Sequence, residues 1–546
     1  MGFLPGLSWT KEADHERVGN VYLDHCINPW FRIHRSFYSF RKRYQADLEK
    51  IPKGETMNYQ NYINNEWCGA KSGNTLDLEN PFTEQVIAQV PASDEPDVNN
   101  AVEAAREAFE SWRKLTAGER RDYMRALAAK SREHAPELAK TISAEMGKPF
   151  SNAIGEIEDV AEYLEYYSEL ARDQVGRIVA PVDKNSMSLV RYEPYGVVGC
   201  IIPWNYPLSL MGWKLAPALA TGNTIVMKPS EITSLSILHW IEVAGGDMPP
   251  GVMNVVTGYG QKAGEALVKH PDVPVITFTG SVRTGKRIAR LASDNLKKVS
   301  LELGGKDPVI VCDDADVDVA AKGTSWGGFV NSGQVCTSVE RVYVYDTIAD
   351  RYTEALVEEA KKVKLGDPMD DDTDVGPMSS KTQFTNTINK VDLAKKEGAR
   401  VLTGGQKSDS FEKGYFYEPT VFDHVTSGMD IVTEESFSPI IPIQRIKSMA
   451  EAIQMANSTK YGLGCTIFTR DIERALTAAD NIKAGTFCIN NPLMENIAAP
   501  FGGMKQSGIG REHGIEALEE FREAKHIYID YDHKNKDWWF GMKGDL

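Results

Sequence analysis

The segment NSGQVCTSVE, residues 331–340, places a cysteine where its thiol could do chemistry. Structural cysteines usually lie among aliphatic residues, because a thiol behaves as a small hydrophobe. Cys336 instead follows a short run of Asn, Ser, Gly and Gln. A tight polar bend of this kind exposes the sulfur and turns backbone N–H groups toward a developing oxyanion. Cys336 is therefore a candidate nucleophile, and the alternative is an inert structural thiol.

Two further polar residues have types that suit the same chemistry. Glu302 is the acid in the apolar run VSLELGG, ahead of two glycines, and is a candidate general base. The alternative is a glutamate on the polar face of an edge strand. Asn205 stands between two prolines in PWNYP, which restrict the backbone and hold its amide in place as an oxyanion donor. Its alternative is an ordinary turn asparagine.

Alternating strand and helix patterns must position these residues. Repeated β-α-β units imply a parallel sheet with helices on both faces and a ligand site beyond the carboxyl ends of the strands. The predicted fold class is α/β, with a nucleotide-type domain and a second α/β region, 306–505, that contains Cys336. The apolar runs that predict strands are 195–203, 223–229, 251–258, 273–280 and 297–305.

Composition limits the class of protein. The 546 residues carry a net charge of −16, which argues against a nucleic-acid-binding face. The seven cysteines are scattered and form no C-x-x-C pair, so they indicate reduced thiols and no metal site. No apolar run approaches the ~18 residues of a membrane-spanning helix. A soluble cytoplasmic protein is expected.

Seven stretches, taken together and in order, resemble the signature motifs of the aldehyde dehydrogenase superfamily. The resemblance extends from about Tyr59 to about Asp530, and Cys336 follows Glu302 by 34 positions. The stretches are PWNYP, MKPSE, FTGSVRTG, LELGGKDP, NSGQVC, EESFSP and PFGGMKQSGIGRE.

This resemblance implies NAD-dependent oxidation of an aldehyde to a carboxylic acid. Cys336 would form a thiohemiacetal and then a thioester. Asn205 and the Cys336 N–H would hold the oxyanion, and Glu302 would activate the water that hydrolyses the thioester.

The resemblance also implies where the cofactor binds. Backbone N–H groups of Gly280, Ser281 and Gly285 would meet the pyrophosphate, although FTGSVRTG is not a G-x-G-x-x-G motif. Lys228 and Glu231 would contact the adenosine ribose, and Glu231 would repel a 2′-phosphate, so NAD is favoured over NADP. The other implied contacts are Ile202, Pro203, Trp204, Ser230, Leu303, Glu435 at the nicotinamide ribose, and Phe437 beside it. Ser438 stands where the family commonly has glycine.

Aromatic residues bear on the choice of aldehyde. Tyr206, Trp213 and Phe501 match positions that surround the cationic group in relatives that oxidise betaine aldehyde and amino-aldehydes. Val330 stands where those relatives often have Trp, which removes a cation–π contact worth ~0.5–2 kcal/mol. A neutral aliphatic or aromatic aldehyde is therefore expected, with a cationic aldehyde as the alternative. A succinate-semialdehyde-type substrate ranks lower, because no positive charge precedes Arg341 beside the cysteine.

Two other classes of protein remain as alternatives. CoA-acylating relatives generally lack the glutamate that Glu302 matches, so its presence favours hydrolysis. A non-catalytic member of the family would be free to lose Cys336, Asn205 or Glu302, and all three are present.

Aromatic residues cluster near both ends of the chain. Residues 30–44, WFRIHRSFYSFRKRY, predict an amphipathic helix that packs on the protein or a neighbouring subunit, and contact with a membrane surface is less favoured. Trp538, Trp539 and Phe540 are expected to be buried at a subunit interface. The predicted parts are an N-terminal extension (1–56), an NAD-binding domain (57–175 and 195–304), a catalytic domain (305–505), a β-extension for a homodimer or homotetramer (176–194 and 522–531) and a tail (532–546).

Overall fold

A computed structural model describes residues 57–172, 176–536 and 538–540. The predicted N-terminal extension, with its amphipathic stretch 30–44, lies outside these residues. Within the described ranges, no helix is both long and apolar enough to cross a membrane. The same ranges contain no group of three His, Cys, Asp or Glu side chains arranged to hold a metal ion.

The strands divide between the two halves of the chain. In the first half they are β1 (Met57–Asn58), β2 (Asn61–Ile63), β3 (Glu66–Cys68), β4 (Thr75–Asn80), β5 (Gln85–Pro91), β6 (Gly176–Val179), β7 (Ser186–Pro194), β8 (Val197–Ile201), β9 (Thr224–Lys228), β10 (Met253–Val255), β11 (Val275–Gly280) and β12 (Lys298–Leu303). In the second half they are β13 (Asp307–Val311), β14 (Val339–Tyr345), β15 (Arg400–Thr403), β16 (Thr420–Asp423), β17 (Ile440–Ile446), β18 (Gly464–Phe468), β19 (Thr486–Ile489), β20 (Gly508–Ile509) and β21 (Arg522–Asp530).

Helices cover the sheets and connect their strands. They are α1 (Glu95–Trp112), α2 (Ala117–Glu133), α3 (Ala135–Met146), α4 (Phe150–Leu170), α5 (Pro207–Thr221), α6 (Leu235–Ala244), α7 (Glu265–Lys269), α8 (Val282–Ser293), α9 (Val317–Phe329), α10 (Ala349–Lys362), α11 (Lys381–Glu397), α12 (Asp430–Thr433), α13 (Met449–Ala456), α14 (Ile472–Asn481) and α15 (Glu516–Glu519).

The first large sheet has the strand order β20-β12-β11-β8-β9-β10-β2-β3. Its five central strands are parallel, which confirms the five strands predicted from the apolar runs. Both faces are buried: in β9, Ile225 and Met227 pack into one apolar cluster and Val226 into another. This burial explains why the runs are continuously apolar. The antiparallel strands β2, β3 and β20 at the two sides were not predicted.

The second large sheet has the order β15-β16-β17-β14-β13-β18-β19. Its strands are parallel except for β15, so this half is also α/β, as predicted. Separately, β21 pairs antiparallel with β7, and β7 pairs with β6. These are the segments assigned to the β-extension, and their part in oligomer formation stays a prediction. Trp538, Trp539 and Phe540 are all exposed in the single chain.

Strand register brings the motifs to one edge of the first sheet. Ile201, at the end of β8, lies opposite Lys228 of β9 and Phe278 of β11. Gly280, at the end of β11, lies opposite Leu303 of β12. The segments that follow these strands therefore emerge together at the carboxyl edge, where sheets of this kind bind ligands.

Candidate active site

The bend before Cys336 has a strained backbone. Asn331, Ser332 and Gly333 follow one another with φ of 54°, 57° and 69°. This left-handed conformation is disfavoured for residues other than glycine and concentrates at functional sites. At Gly333 any Cβ would collide with the carbonyl of Ser438, so glycine is required there.

Buried hydrogen bonds hold this bend against Asn205. The Asn205 Nδ2 donates to the carbonyl of Gln334 at 3.1 Å. Asn331 Nδ2 donates to the carbonyls of Asn205 and Gln334, both at 3.2 Å. Asn205 is thus a neighbour of the cysteine bend, although 131 positions separate it from Cys336.

Two donors at this point can serve an oxyanion. An amide NH₂ group carries two hydrogens, so Asn205 keeps one after its bond to Gln334. The backbone N–H of Cys336 makes no hydrogen bond to any other residue that the structure describes. The arrangement brings together the two groups that the sequence offered for this purpose.

Cys336 is partly exposed, and its thiol is surrounded by acids. Burial of the sulfur raises the pKa of Cys336 well above its ordinary value, and the negative charges of Glu495, Glu302, Asp307 and Glu435 raise it further. The thiol of the free protein is therefore protonated at neutral pH, and its reaction requires a base.

Glu302 is suited to act as a general base on a water molecule. It lies in β12 between β11 and β20, and its side chain is only 3% exposed, so the alternative of an edge-strand glutamate facing water is wrong. Neither carboxylate oxygen has a hydrogen-bond partner among the described residues. Burial, and next the charge of Glu512, raise the pKa of Glu302 well above its ordinary value. A buried acid without a partner and with a raised pKa is typical of a catalytic group.

A buried ion pair that was not predicted lies behind Glu302. Lys214 of α5 pairs with Glu512 and donates to Thr279 Oγ1 at 2.6 Å. Thr279 is the cross-strand partner of Glu302. A chain of polar side chains therefore leads from Glu302 through Thr279 to the buried pair of Lys214 and Glu512. The sequence signal is a single lysine in the apolar helix segment LMGWKLAPALA, which is easily read as a helix with one exposed residue.

On the side of the predicted cofactor contacts, Lys228 is buried at the end of β9 and lies 3.3 Å from the half-exposed Glu231. Ile202, which follows β8, donates its N–H to the carbonyl of Lys228 at 3.0 Å. Ser230, two residues after Lys228, is buried in the same loop.

The FTGSVRTG segment forms the turn from β11 into α8. Ser281 caps α8 and accepts the N–H of Thr284 at 3.3 Å. The N–H of Gly285 donates to the carbonyl of Ser281 at 2.9 Å, as the first hydrogen bonds of a helix do, and the contact of Gly285 with the pyrophosphate stays a prediction. Gly285 also lets the helix approach β12, because a Cβ there would collide with Leu303. The N–H groups of Val282 and Arg283 in the first helical turn can also bind an anion.

The EESFSP loop packs on the end of β12. The Glu435 carboxylate accepts the N–H of Gly305 at 3.2 Å and lies where a Cβ on Gly304 would collide with it. Burial, and then the charge of Glu340, raise the pKa of Glu435. Phe437 has φ of 51°, and its ring contacts Trp204 with centroids 5.3 Å apart.

The serine that replaces a common glycine is well accommodated in this loop. Ser438 does not have positive φ; the strained residue is its neighbour Phe437. The Ser438 hydroxyl hydrogen-bonds with Thr387 Oγ1 at 2.6 Å and with the carbonyl of Ser436 at 2.8 Å. The substitution therefore does not disturb the loop that carries Glu435.

The predicted substrate residues meet on the other side. The rings of Trp213 and Phe501 lie 4.8 Å apart, and both side chains are buried. His513 was not predicted as a site residue, and the centroid of its ring lies 4.3 Å from the centroid of the Trp213 ring. Burial lowers the pKa of His513 to about 3, so its imidazole is neutral. Val330 is buried in the turn that precedes the bend.

Tyr206 differs from its predicted part in an aromatic box. The Nζ of buried Lys148 lies 3.4 Å from the centroid of its ring, and the same lysine pairs with Glu156. One face of the ring is therefore already occupied by a cation. Glu156 also accepts the N–H of Leu208 at 2.7 Å, which ties this pair to the start of α5.

The chain is similar to known proteins over most of its length. Residues 67–527 match the aldehyde dehydrogenase family. Retinaldehyde dehydrogenase 3 of Homo sapiens is 43% identical over 482 residues, covering 87% of this chain and 93% of that protein. Aminoaldehyde dehydrogenase 1, peroxisomal, of Malus domestica is 40% identical over 482 residues, covering 86% and 96%. A crystal structure of betaine aldehyde dehydrogenase from Staphylococcus aureus in complex with NAD⁺ superimposes with a TM-score of 0.87 at 38% identity, covering 89% of this chain and 97% of that one.

Proposed function

The chain belongs to the aldehyde dehydrogenase family, and on that basis we propose that it oxidises an aldehyde to the carboxylic acid with NAD as hydride acceptor. The observation that carries the proposal is the meeting of three groups: a strained cysteine bend, an amide donor held against it, and a buried carboxylate without a partner. Cys336, Asn205 and Glu302 are the proposed catalytic residues.

The proposed reaction uses these groups in sequence. The Cys336 thiol releases its proton to solvent water, the thiolate sulfur adds to the aldehyde carbon, and the oxyanion accepts hydrogen bonds from Asn205 Nδ2 and the Cys336 N–H. Bound NAD supplies the acceptor for the hydride that leaves this carbon. A thioester then remains on Cys336. Glu302 takes a proton from water, the water oxygen attacks the thioester carbon, and the acid leaves as the sulfur is released.

The residues around the edge of the first sheet fit the cofactor. A buried lysine beside an exposed glutamate, Lys228 and Glu231, suits a ribose and disfavours a 2′-phosphate. The first turn of α8 presents N–H groups to an anion. Glu435 is the proposed contact of the second ribose. The remaining proposed contacts are Ile202, Pro203, Trp204, Ser230, Gly280, Ser281, Gly285, Leu303 and Phe437.

The direct test is NADH formation by the purified protein with a panel of aldehydes. The panel contains betaine aldehyde, an amino-aldehyde, a plain aliphatic aldehyde and succinate semialdehyde, each with NAD and with NADP. NADH formation with at least one aldehyde, and a higher kcat/KM with NAD than with NADP, are expected. Binding of NAD without oxidation of any aldehyde would contradict the proposal.

We expect Asn205→Ala to lower kcat by about 10²–10³-fold, because the oxyanion then loses one of two donors. The affinity for NAD, measured by calorimetry, and the rate of Cys336 alkylation by iodoacetamide should stay within about twofold of the wild type. A variant that keeps the wild-type kcat would show that the amide is only a support for the bend.

We expect a strong pH dependence on the same reaction. The pKa of Cys336 and the pKa of Glu302 are both raised, and each group must lose its proton to act, so activity falls as the pH is lowered and rises as it is raised. Alkylation of Cys336 in the free protein should keep accelerating above pH ~8.5, the ordinary thiol pKa. Alkylation of the Cys336→Ala variant corrects for the other thiols. A plateau below that pH would contradict the raised pKa of Cys336.

One observation favours a cationic aldehyde as a second candidate substrate. Asp159 lies beside the substrate residues, where it accepts the hydroxyl of Ser209, and Glu495 is exposed near the site. Burial raises the pKa of Tyr206, and the charges of Glu156, Glu495 and Asp159 are among the groups that raise it further. Desolvation by the surrounding protein raises the pKa of both Asp159 and Glu495, that of Glu495 to about 7, and a bound ammonium group would favour their charged forms, whereas a neutral aldehyde would not. On this point the structure supports an amino-aldehyde more than the sequence did.

Replacing Glu495 with glutamine separates these two substrates. At a pH well above the raised pKa of Glu495, which is about 7, loss of this charge at ~1 kcal/mol should raise KM for a cationic amino-aldehyde about fivefold and leave KM for an uncharged aldehyde of equal length unchanged. Glu473→Gln, at an exposed position of α14, is the matched control. An equal change for both aldehydes would favour the neutral substrate.

The proposal extends to how the subunits assemble and to the compartment in which the protein works. The three-stranded sheet β21-β7-β6 exposes Ile178 and Tyr528, which supports its use between subunits of a homodimer or homotetramer. The described cysteines are free thiols, which supports the cytoplasm or another reducing compartment.

A further inference from the structure

Three loops of the site meet at one buried ion pair that the proposed chemistry does not use. Lys306 follows Glu302 by four residues, and Glu340 follows Cys336 by four. Lys306 Nζ lies 2.7 Å from Glu340 Oε2, and the two residues are 1% and 2% exposed. The pair therefore connects the segment that carries the proposed base to the segment that carries the proposed nucleophile.

The same pair also holds the loop that carries Glu435. Glu340 Oε2 accepts the N–H of Ser436, and Glu340 Oε1 accepts the N–H of Phe437, both at 2.7 Å. Lys306 Nζ donates to Ser436 Oγ at 2.9 Å. Because Phe437 has a φ disfavoured for its residue type, its backbone needs an acceptor of this kind to stay in place.

The position of the Glu435 carboxylate depends on this loop. It reaches the N–H of Gly305, the residue before Lys306, at 3.2 Å. The Glu435 carboxylate fits there only because residue 304 is glycine, since a Cβ at that position would collide with it. A displacement of Ser436 and Phe437 would therefore move the carboxylate of the adjacent Glu435 away from Gly304 and the N–H of Gly305.

We propose that Glu340 is a positioning residue for the cofactor: its hydrogen bonds to the N–H groups of Ser436 and Phe437 set the place of the Glu435 carboxylate and so the affinity for NAD. This inference rests on the proposed function, because it takes Glu435 as a cofactor contact. Neither the charge of Glu340 nor that of Lys306 is required for it; the requirement is an acceptor at residue 340.

A pair of double variants isolates that requirement. Removal of one member of a buried ion pair leaves an uncompensated charge, so both variants replace Lys306 as well. K306M/E340Q keeps one carbonyl oxygen, which can accept one of the two loop N–H groups, whereas K306M/E340M keeps no acceptor. Both remove the two charges and keep similar side-chain volumes. K306M/E340A gives the same comparison if two methionines do not fit.

The readouts are the Kd for NAD by calorimetry and the midpoint of thermal unfolding. K306M/E340Q, which still accepts one of the two N–H groups, should bind NAD more weakly than the wild type, and K306M/E340M should bind it at least about tenfold more weakly than K306M/E340Q, since both buried N–H groups then lack an acceptor. Equal Kd values for the two variants would overturn the inference and leave the pair a purely structural one. If the wild type does not bind NAD, the proposed function itself fails, and this inference fails with it.

Discussion

Cys336→Ala should abolish aldehyde-dependent NADH formation, with a loss of at least about 10⁴-fold in kcat. The reason is that no other group takes the place of the sulfur in the covalent step, and removal of a nucleophile typically leaves only residual catalysis from binding and the oxyanion donors. The measurement is steady-state NADH absorbance with the best aldehyde of the panel. NAD binding should be kept, because the contacts proposed for the cofactor lie on other loops.

A matched cysteine is available as the control. Cys312 is buried in the apolar cluster beside β13 and has no proposed part in the reaction. Cys312→Ala should keep wild-type kcat even if it lowers the unfolding temperature. Substantial activity in Cys336→Ala, or a comparable loss in Cys312→Ala, would contradict the assignment of the nucleophile.

Glu302→Gln should produce the second largest effect, a loss of about 10²–10³-fold in steady-state turnover. The amide keeps the shape of the side chain but cannot take a proton from water, so the thioester accumulates. Rapid mixing of the variant with aldehyde and NAD should show a burst of NADH that approaches one per subunit, followed by the slow steady state.

The burst distinguishes this role from a structural one. A variant that merely folds poorly would lose the burst and the steady rate in the same proportion. A steady rate close to that of the wild type would show that another group activates the water.

Much of this site could be predicted because its parts follow continuous strands. The apolar runs that lead to Asn205 and contain Glu302 are β8 and β12, and parallel pairing of both with β11, which lies between them, brings their carboxyl ends to the same edge of the sheet. The unusual composition before Cys336 reflects a real constraint, since three successive residues adopt positive φ there.

Other features depend on contacts between residues far apart in the chain. Lys306 and Glu340 form a buried ion pair. The sequence around each residue does not show that it is buried or which residue is its partner. Lys148, which covers one face of Tyr206, and the strand β20, which pairs with β12 beside Glu302, are equally long-range features. A glycine after a strand suits either an anion or close packing, and the sequence alone does not show that Gly285 packs against Leu303.

The covalent thioester on Cys336 is the central claim, and its direct detection is the most decisive measurement. Glu302→Gln is mixed with aldehyde and NAD, quenched in acid, and examined by intact mass and peptide mapping. The account predicts the added mass of the acyl group on the peptide that contains Cys336, formed only when NAD is present. Oxidation of the aldehyde without any adduct, or with an adduct on another residue, would contradict it.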